Sequence, residues 1–182
     1  MCAKAVALAA RPEGMPKTSD FQIVDIESND PADGEIQVKN ICMSVDPYMR
    51  GRMVDRKSYV PPFQIGEPLT GGAIGEVIKS AHPDFKEGDF VSSHWGWRDG
   101  FTARAEGIER LGEIVAPASE YLGAIGMPGM TAYAGLLEVG ALKDGETVFV
   151  SGAAGAVGSI VGQIAKLKNC HVIGSAGNDE KV

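Results

Sequence analysis

The stretch Thr147-Val148-Phe149-Val150-Ser151-Gly152-Ala153-Ala154-Gly155-Ala156-Val157-Gly158 passes from a short apolar run straight into a glycine-rich turn. Residues 147–150 have the length and composition of a buried strand. Residues 160–167 then keep helical spacing, and His171-Val172-Ile173-Gly174 is a second apolar run of strand length. Strand, glycine turn, helix and strand in that order predict the start of a parallel doubly wound sheet. The turn has the spacing A-x-G-x-x-G, with Ala153 where the first glycine of a dinucleotide fingerprint usually stands. A glycine at 155 lets the backbone approach a pyrophosphate, and Gly158 lets the helix pack closely on the sheet. The helix N-terminus adds unpaired amides and the positive end of a dipole. The plain alternative is a strand-to-helix turn that binds nothing, and the position between a strand and a helix favours the fingerprint.

A fingerprint of this kind has an acidic partner about 20 residues on, at the end of the second strand, to bind the adenosine ribose 2′-hydroxyl. Here Ile173-Gly174-Ser175-Ala176-Gly177 stands instead, and Lys181 follows. Without a carboxylate to repel a 2′-phosphate, and with a cation nearby, the expected cofactor is NADP(H), with Ser175 and Lys181 in its site. Lys181 also reads as a solvated surface lysine. Asp179 and Glu180 beside it weaken the electrostatic case.

Before this segment the chain reads differently. Residues 5–10 form an apolar run that reads as a first strand, and 21–26, 35–41 and 73–78 are short segments with strand character. Asp30-Pro31-Ala32-Asp33-Gly34-Glu35 and Phe85-Lys86-Glu87-Gly88-Asp89 each place a glycine beside acidic residues ahead of such a run, as a tight turn into a strand does. The repetition predicts a compact antiparallel barrel. Past Pro117, Ser119 and Glu120 can cap a short helix through Leu122 and Ile125, which Met127-Pro128-Gly129 is expected to break. Residues 131–139 regain helical spacing, with Gly140 as the stop. A barrel domain over residues 1–123 and the first part of a dinucleotide-binding domain over residues 124–182 follow from this change of texture.

Composition sets outer limits. The chain has 182 residues, 44% hydrophobic and 23% charged, enough for a sizeable core, and its 24 glycines favour short strands over a helical bundle. Seventeen basic against 24 acidic residues give a net charge of -7, which disfavours nucleic acid and anionic membranes as partners. Cys2, Cys42 and Cys170 are odd in number and far apart, so they read as reduced thiols in a cytoplasmic protein. The first apolar run, residues 5–10, is six residues long and ended by Arg11-Pro12, too short for a signal peptide or a membrane helix.

Three segments together resemble a known family: Val45-Asp46-Pro47-Tyr48-Met49-Arg50-Gly51-Arg52-Met53, Gly126-Met127-Pro128-Gly129-Met130-Thr131-Ala132-Tyr133, and residues 152–168. They are similar to the zinc-independent prostaglandin and leukotriene reductase branch of the medium-chain dehydrogenase/reductase superfamily, most of all to bacterial curcumin-reductase-like members. The resemblance covers essentially the whole chain. It implies a GroES-like barrel followed by a Rossmann sheet, and the chain looks truncated inside the latter. Zinc-dependent relatives hold a metal with a cysteine in the early loop and a Gly-His-Glu after it. Here residues 45–50 contain no cysteine, Thr70-Gly71-Gly72-Ala73 has glycine in the histidine's place, and His82, His94 and His171 share no zinc spacing with the cysteines. No metal site is expected.

Carried over, the resemblance implies that Gly155, Ala156, Val157 and Gly158 contact the pyrophosphate, that Lys181 binds the 2′-phosphate, and that Met127 and Thr131 lie near the nicotinamide. Tyr48 and Tyr59 match tyrosines bordering the substrate, and His94 with Trp95 occupies a substrate wall. For the tyrosines and Trp95, ordinary packing is the competing explanation. The implied reaction is reduction of the carbon-carbon double bond of an α,β-unsaturated ketone or aldehyde by NADPH, with Tyr48 or Tyr59 as hydrogen-bond donor to the enolate. An NADPH:quinone oxidoreductase of the same superfamily and a non-catalytic truncated binding module are the rivals. A homodimer is expected in the resembled family, and the 182 residues alone are expected to be inactive.

Overall fold

A computed structural model describes residues 2–181, which divide into two compact units, one up to Ser119 and one from Glu120. In the first unit β1 (Cys2–Leu8) pairs antiparallel with β2 (Phe21–Glu27). A five-stranded antiparallel sheet contains β3 (Glu35–Met43), β4 (Ala73–Ser80), β5 (Phe90–Ser93), β6 (Gly100–Arg104) and β7 (Glu109–Arg110), in the order β6-β3-β4-β5-β7. Single bridges, Ala5 to Arg98 and Ala7 to Pro68, tie β1 to segments that border the larger sheet. This is the antiparallel domain that the turn-and-strand pattern predicts. Gly34 and Gly88, in the two acidic turns, have φ of 79° and 87°, a conformation in which a Cβ would be strained.

Alternation along these strands decides what is inside. Ile36 and Val38 of β3 meet Val77 of β4, Val91 of β5 and Phe101 of β6 in one buried cluster. A second cluster, Leu8, Met49, Met53, Phe63 and Leu69, lies under the short helix α1 (Tyr48–Arg52). Met49 is the buried residue of α1, so its packing fixes the helix and leaves Tyr48 and Arg52 half-buried. Two arginines of α1 are engaged in different directions. Arg50 donates to the carbonyls of Pro12 and Gly14 at 3.2 and 2.7 Å, and Arg52 reaches Pro61 and Thr70.

A 3-10 turn (Ala118–Tyr121) spans the boundary, and the second unit continues with α2 (Met127–Tyr133), a π-helical segment (Ala134–Val139), β8 (Thr147–Val150), α3 (Ala156–Leu167) and β9 (His171–Gly174). β8 and β9 pair in parallel, from Thr147 opposite His171 to Val150 opposite Gly174, with α3 as the crossover. Two local expectations are overturned. No helix runs through Leu122 and Ile125, only the 3-10 turn before them. Met127-Pro128-Gly129 starts a helix instead of breaking one, because a proline in the first turn lacks only an N–H that would have no intrahelical acceptor. Gly129 serves packing there, since a Cβ at that position would collide with the Ala124 backbone. Among the described residues no helix is long and apolar enough to cross a membrane.

Candidate functional site

The second unit builds its site from backbone. β8 delivers the chain into a turn in which Gly152 takes a φ of 61°, and α3 begins at once after the N-cap Gly155. Gly155 offers no side chain to cap the helix, and the first helical bond of α3 runs from the Ser159 amide to the Gly155 carbonyl at 3.0 Å. The amides of Ala156, Val157 and Gly158 therefore lack intrahelical acceptors and face outward at the positive helix end. A cavity of about 450 Å³ lies against this turn, lined among others by Gly152, Gly155, Val157, Gly158 and Leu136. A Cβ on Gly158 would collide with the Gly152 carbonyl, and one on Gly155 would come within 3.1 Å of it.

Ala153 explains itself through a second glycine. A Cβ on Gly174, at the end of β9, would lie 2.7 Å from the Cβ of Ala153, so the side chain missing from the strand makes room for the one added to the fingerprint. Ser175 knots the two together. Its amide donates to the Val150 carbonyl at 3.0 Å, and its carbonyl accepts from the Ala153 amide at 2.8 Å. Lys181 ends a 3-10 turn (Asp179–Lys181), is exposed, and forms no ion pair among the described residues. In α2 the Thr131 hydroxyl donates back to the Met127 carbonyl at 2.8 Å, joining the two residues expected near the nicotinamide. Amides without intrahelical acceptors, glycines without room for Cβ, and the lack of a carboxylate at the end of β9 fit an NADP-type dinucleotide.

The first unit builds a site from side chains. Tyr48, Arg52, Tyr59, Val60, Thr70, Gly71 and His94 line a cavity of about 400 Å³. It brings together Tyr48, Tyr59 and His94, which lie far apart in sequence. α1 supplies Tyr48 and Arg52, an irregular segment supplies Tyr59, and the amide of Gly71 bonds the His94 carbonyl at 3.1 Å across the floor. Trp95 is not in the lining. Its ring stacks on Phe101 at 5.5 Å, and the Arg98 guanidinium covers it at 4.9 Å. Burial pushes the Tyr48 phenol above the ordinary tyrosine range; the Asp46 carboxylate adds to this, and Arg52 opposes it. The phenol is thus a neutral hydrogen-bond donor near pH 7. Tyr59 is 88% exposed, so no packing of its own ring holds it.

Arg52, Val60, Thr70 and Gly71 are the lining residues to which sequence reasoning assigned no role in a substrate site. The spacing of Tyr48 and Arg52, four residues apart in a helix, is the signal that places them on one face. A second, more apolar cavity of about 330 Å³, bordered by Ile41, Met43, Trp97 and Arg98, contains none of the expected site residues. Among the described residues no group of three histidines, cysteines or carboxylates could hold a metal ion.

The chain is similar in sequence and in fold to known oxidoreductases. Residues 4–111 match the family described as the N-terminal domain of oxidoreductase. The chain is 44% identical over 174 residues to the NADPH-dependent curcumin reductase of Escherichia coli, covering 96% of this chain and 50% of that protein. It is 46% identical over 186 residues to the NADP(+)-dependent 2-alkenal reductase of Nicotiana tabacum, covering 98% and 54%. The crystal structure of CurA in complex with NADPH from Vibrio vulnificus superposes with a TM-score of 0.88 at 44% identity, over 97% of this chain and 52% of that one. The chain spans about half the length of the curated relatives it matches.

Proposed function

The chain belongs to the zinc-independent reductase branch of the medium-chain dehydrogenase/reductase superfamily, and from that membership we propose that the full-length protein reduces the carbon-carbon double bond of α,β-unsaturated ketones and aldehydes with NADPH. The observation that carries the proposal is the convergence of Tyr48, Tyr59 and His94 on one cavity with a neutral phenol in its wall. The names of two relatives, a curcumin reductase and a 2-alkenal reductase, point to the same substrate class.

NADPH, held at the glycine turn, would supply a hydride for the β-carbon of the enone. The chain's own residues have two other tasks: to hold the carbonyl oxygen as negative charge develops on it, and to let a proton reach the α-carbon as the enolate collapses. A neutral phenol at Tyr48 donates a hydrogen bond to that oxygen without adding a like charge. Tyr59, in the same lining, borders an apolar substrate and offers a second donor. His94 borders the same space, which suits contact with the substrate or with its proton supply. On the cofactor side, Ala156, Val157 and Gly158 bind the pyrophosphate through their amides. Ser175 and Lys181 would border the 2′-phosphate, and Met127 and Thr131 the nicotinamide.

Residues up to Ser119 act as the substrate domain and those from Glu120 as the start of the NADP-binding domain. A small-molecule enone is the partner, in a homodimer of cytoplasmic location. The test is a steady-state assay of the full-length protein with a simple enone, an enal and a benzoquinone, each with NADPH and with NADH. Saturable oxidation of NADPH with the enone and recovery of the saturated ketone support the reading. Turnover of the quinone alone would replace it with the quinone oxidoreductase.

A further inference from the structure

Tyr59 presents a difficulty. A residue that lines a substrate cavity must be held in place, yet its ring is 88% exposed and its segment, residues 54–62, has no helix or strand. The segment is instead gripped at both ends by arginines. At the near end, Arg11 donates to the Met53 carbonyl at 3.0 Å and pairs with Asp55 at 3.6 Å. At the far end stands Arg52. Its Nε donates to the Pro61 carbonyl at 3.0 Å, and its guanidinium lies 3.9 Å over the Phe63 ring. Its backbone carbonyl accepts from the Phe63 amide at 2.7 Å. Its Nη1 donates to the hydroxyl of Thr70, another lining residue, at 3.1 Å.

We propose that Arg52 is a positioning residue for the substrate cavity: one guanidinium joins α1, the segment that carries Tyr59 and the Thr70-Gly71 wall, and so sets the gap between Tyr48 and Tyr59. The chemistry of the side chain supports this role. Arg52 has no carboxylate partner among the described residues, so the charge is not used up in an ion pair. Its planar fork meets two acceptors in different directions while its face rests on an aromatic ring, which a lysine ammonium cannot do. Because Thr70 precedes Gly71, and Gly71 bonds the His94 backbone, displacement of Arg52 loosens each wall of the cavity. Arg50, two residues away, grips the 12–14 loop and touches none of these walls, so it serves as the control.

The substrate side of this inference rests on the enone reading above, so the experiment reads the clamp in two ways. In the full-length protein, Arg52→Met, Arg52→Lys and Arg50→Met are compared for enone kcat/KM, NADPH KM, melting temperature and the rate of tryptic cleavage after Lys57. Arg52→Met should lower enone kcat/KM about tenfold or more, mainly through KM, and leave the NADPH KM within about twofold. Cleavage after Lys57 should accelerate by a similar factor, and Arg52→Lys should recover only a small part of either effect. Arg50→Met should leave both near wild type, even where its melting temperature falls.

Unchanged enone KM and cleavage rate in Arg52→Met would overturn the proposal. So would parallel losses in the Arg50 and Arg52 variants that track melting temperature, which mean plain destabilisation. Full recovery in Arg52→Lys would show that charge alone suffices and that no forked clamp exists. If the wild type reduces no enone, the functional reading fails by itself, and the tryptic comparison still decides whether Arg52 holds the segment.

Discussion

The two units reach a binding surface by opposite means. In the second, the surface centres on residues 152–158, glycine and alanine but for Val157, and the groups it offers are the amides at the start of α3. In the first, the lining comes from α1, an irregular arm and the turns around Thr70 and His94, and the side chains of Tyr48, Arg52, Tyr59 and His94 bring its chemistry. A backbone surface fails when something is added to it, and a side-chain surface fails when something is removed. The variants that separate the two follow from this.

The largest effect is expected at Gly158. Gly158→Val places atoms against the Gly152 carbonyl, which belongs to backbone and cannot swing away. In the full-length protein it should weaken NADPH binding about a hundredfold, near 3 kcal/mol, in a fluorescence titration. An unchanged dissociation constant would mean that the glycine turn binds nothing. Next is Lys181→Ala, expected to raise the NADPH Michaelis constant by about 1 to 3 kcal/mol and to leave that for NADH nearly unaltered. Equal effects on both cofactors would remove Lys181 from the 2′-phosphate.

A smaller effect tests how Ala153 is accommodated. Gly174→Ala should cost about 1 to 3 kcal/mol in urea denaturation, because its Cβ falls on that of Ala153, and Ala153→Gly should restore most of it. Additive effects in that cycle, with no coupling of about 1 kcal/mol or more, would show that the two positions do not share the space.

The smallest effects are expected in the other unit, where a hydroxyl is removed and the ring stays. Tyr48→Phe and Tyr59→Phe should lower enone kcat/KM by about 0.5 to 1.5 kcal/mol each and leave NADPH binding intact. For Tyr48 the sign with pH is fixed by burial, which raises its phenol. The donor persists below the ordinary tyrosine value of about 10 and is lost only as pH rises beyond it, so the gap between wild type and Tyr48→Phe should stay level up to about pH 9. A gap that closes near neutrality would assign the donor elsewhere.

The same contrast governs what could be read from the sequence. Strand, glycine turn, helix and strand occupy one continuous stretch, so residues 147–174 announce the parallel pair β8 and β9 and the helix between them. The antiparallel strands were legible through alternation and through Gly34 and Gly88. Helix ends were not: Pro128 has the same letter whether it starts a helix or stops one, and only the packing of Gly129 on Ala124 settles which. The tyrosine cavity was reached by family resemblance. No local pattern joins Tyr48 to Tyr59 and His94, because the joining is done by hydrogen bonds of Arg52 and Gly71 over long sequence separations. Trp95 shows the converse, since its neighbour His94 faces the cavity and alternation along the chain turns the indole to Phe101.

The π-helical segment after α2 has a consequence for length. Its Gly140 amide bonds the Gly135 carbonyl, five residues back, where an α-helix would bond four. One residue fewer between them would restore the α-helical count while still closing a single turn, so the helix on either side would keep its phase and the change would fall on which residues of the segment itself project to each side. Leu136 stands in this segment and lines the cavity at the glycine turn. Homologous chains that differ by a single insertion or deletion here would therefore present a different side chain to that cavity, with every residue of the turn itself unchanged.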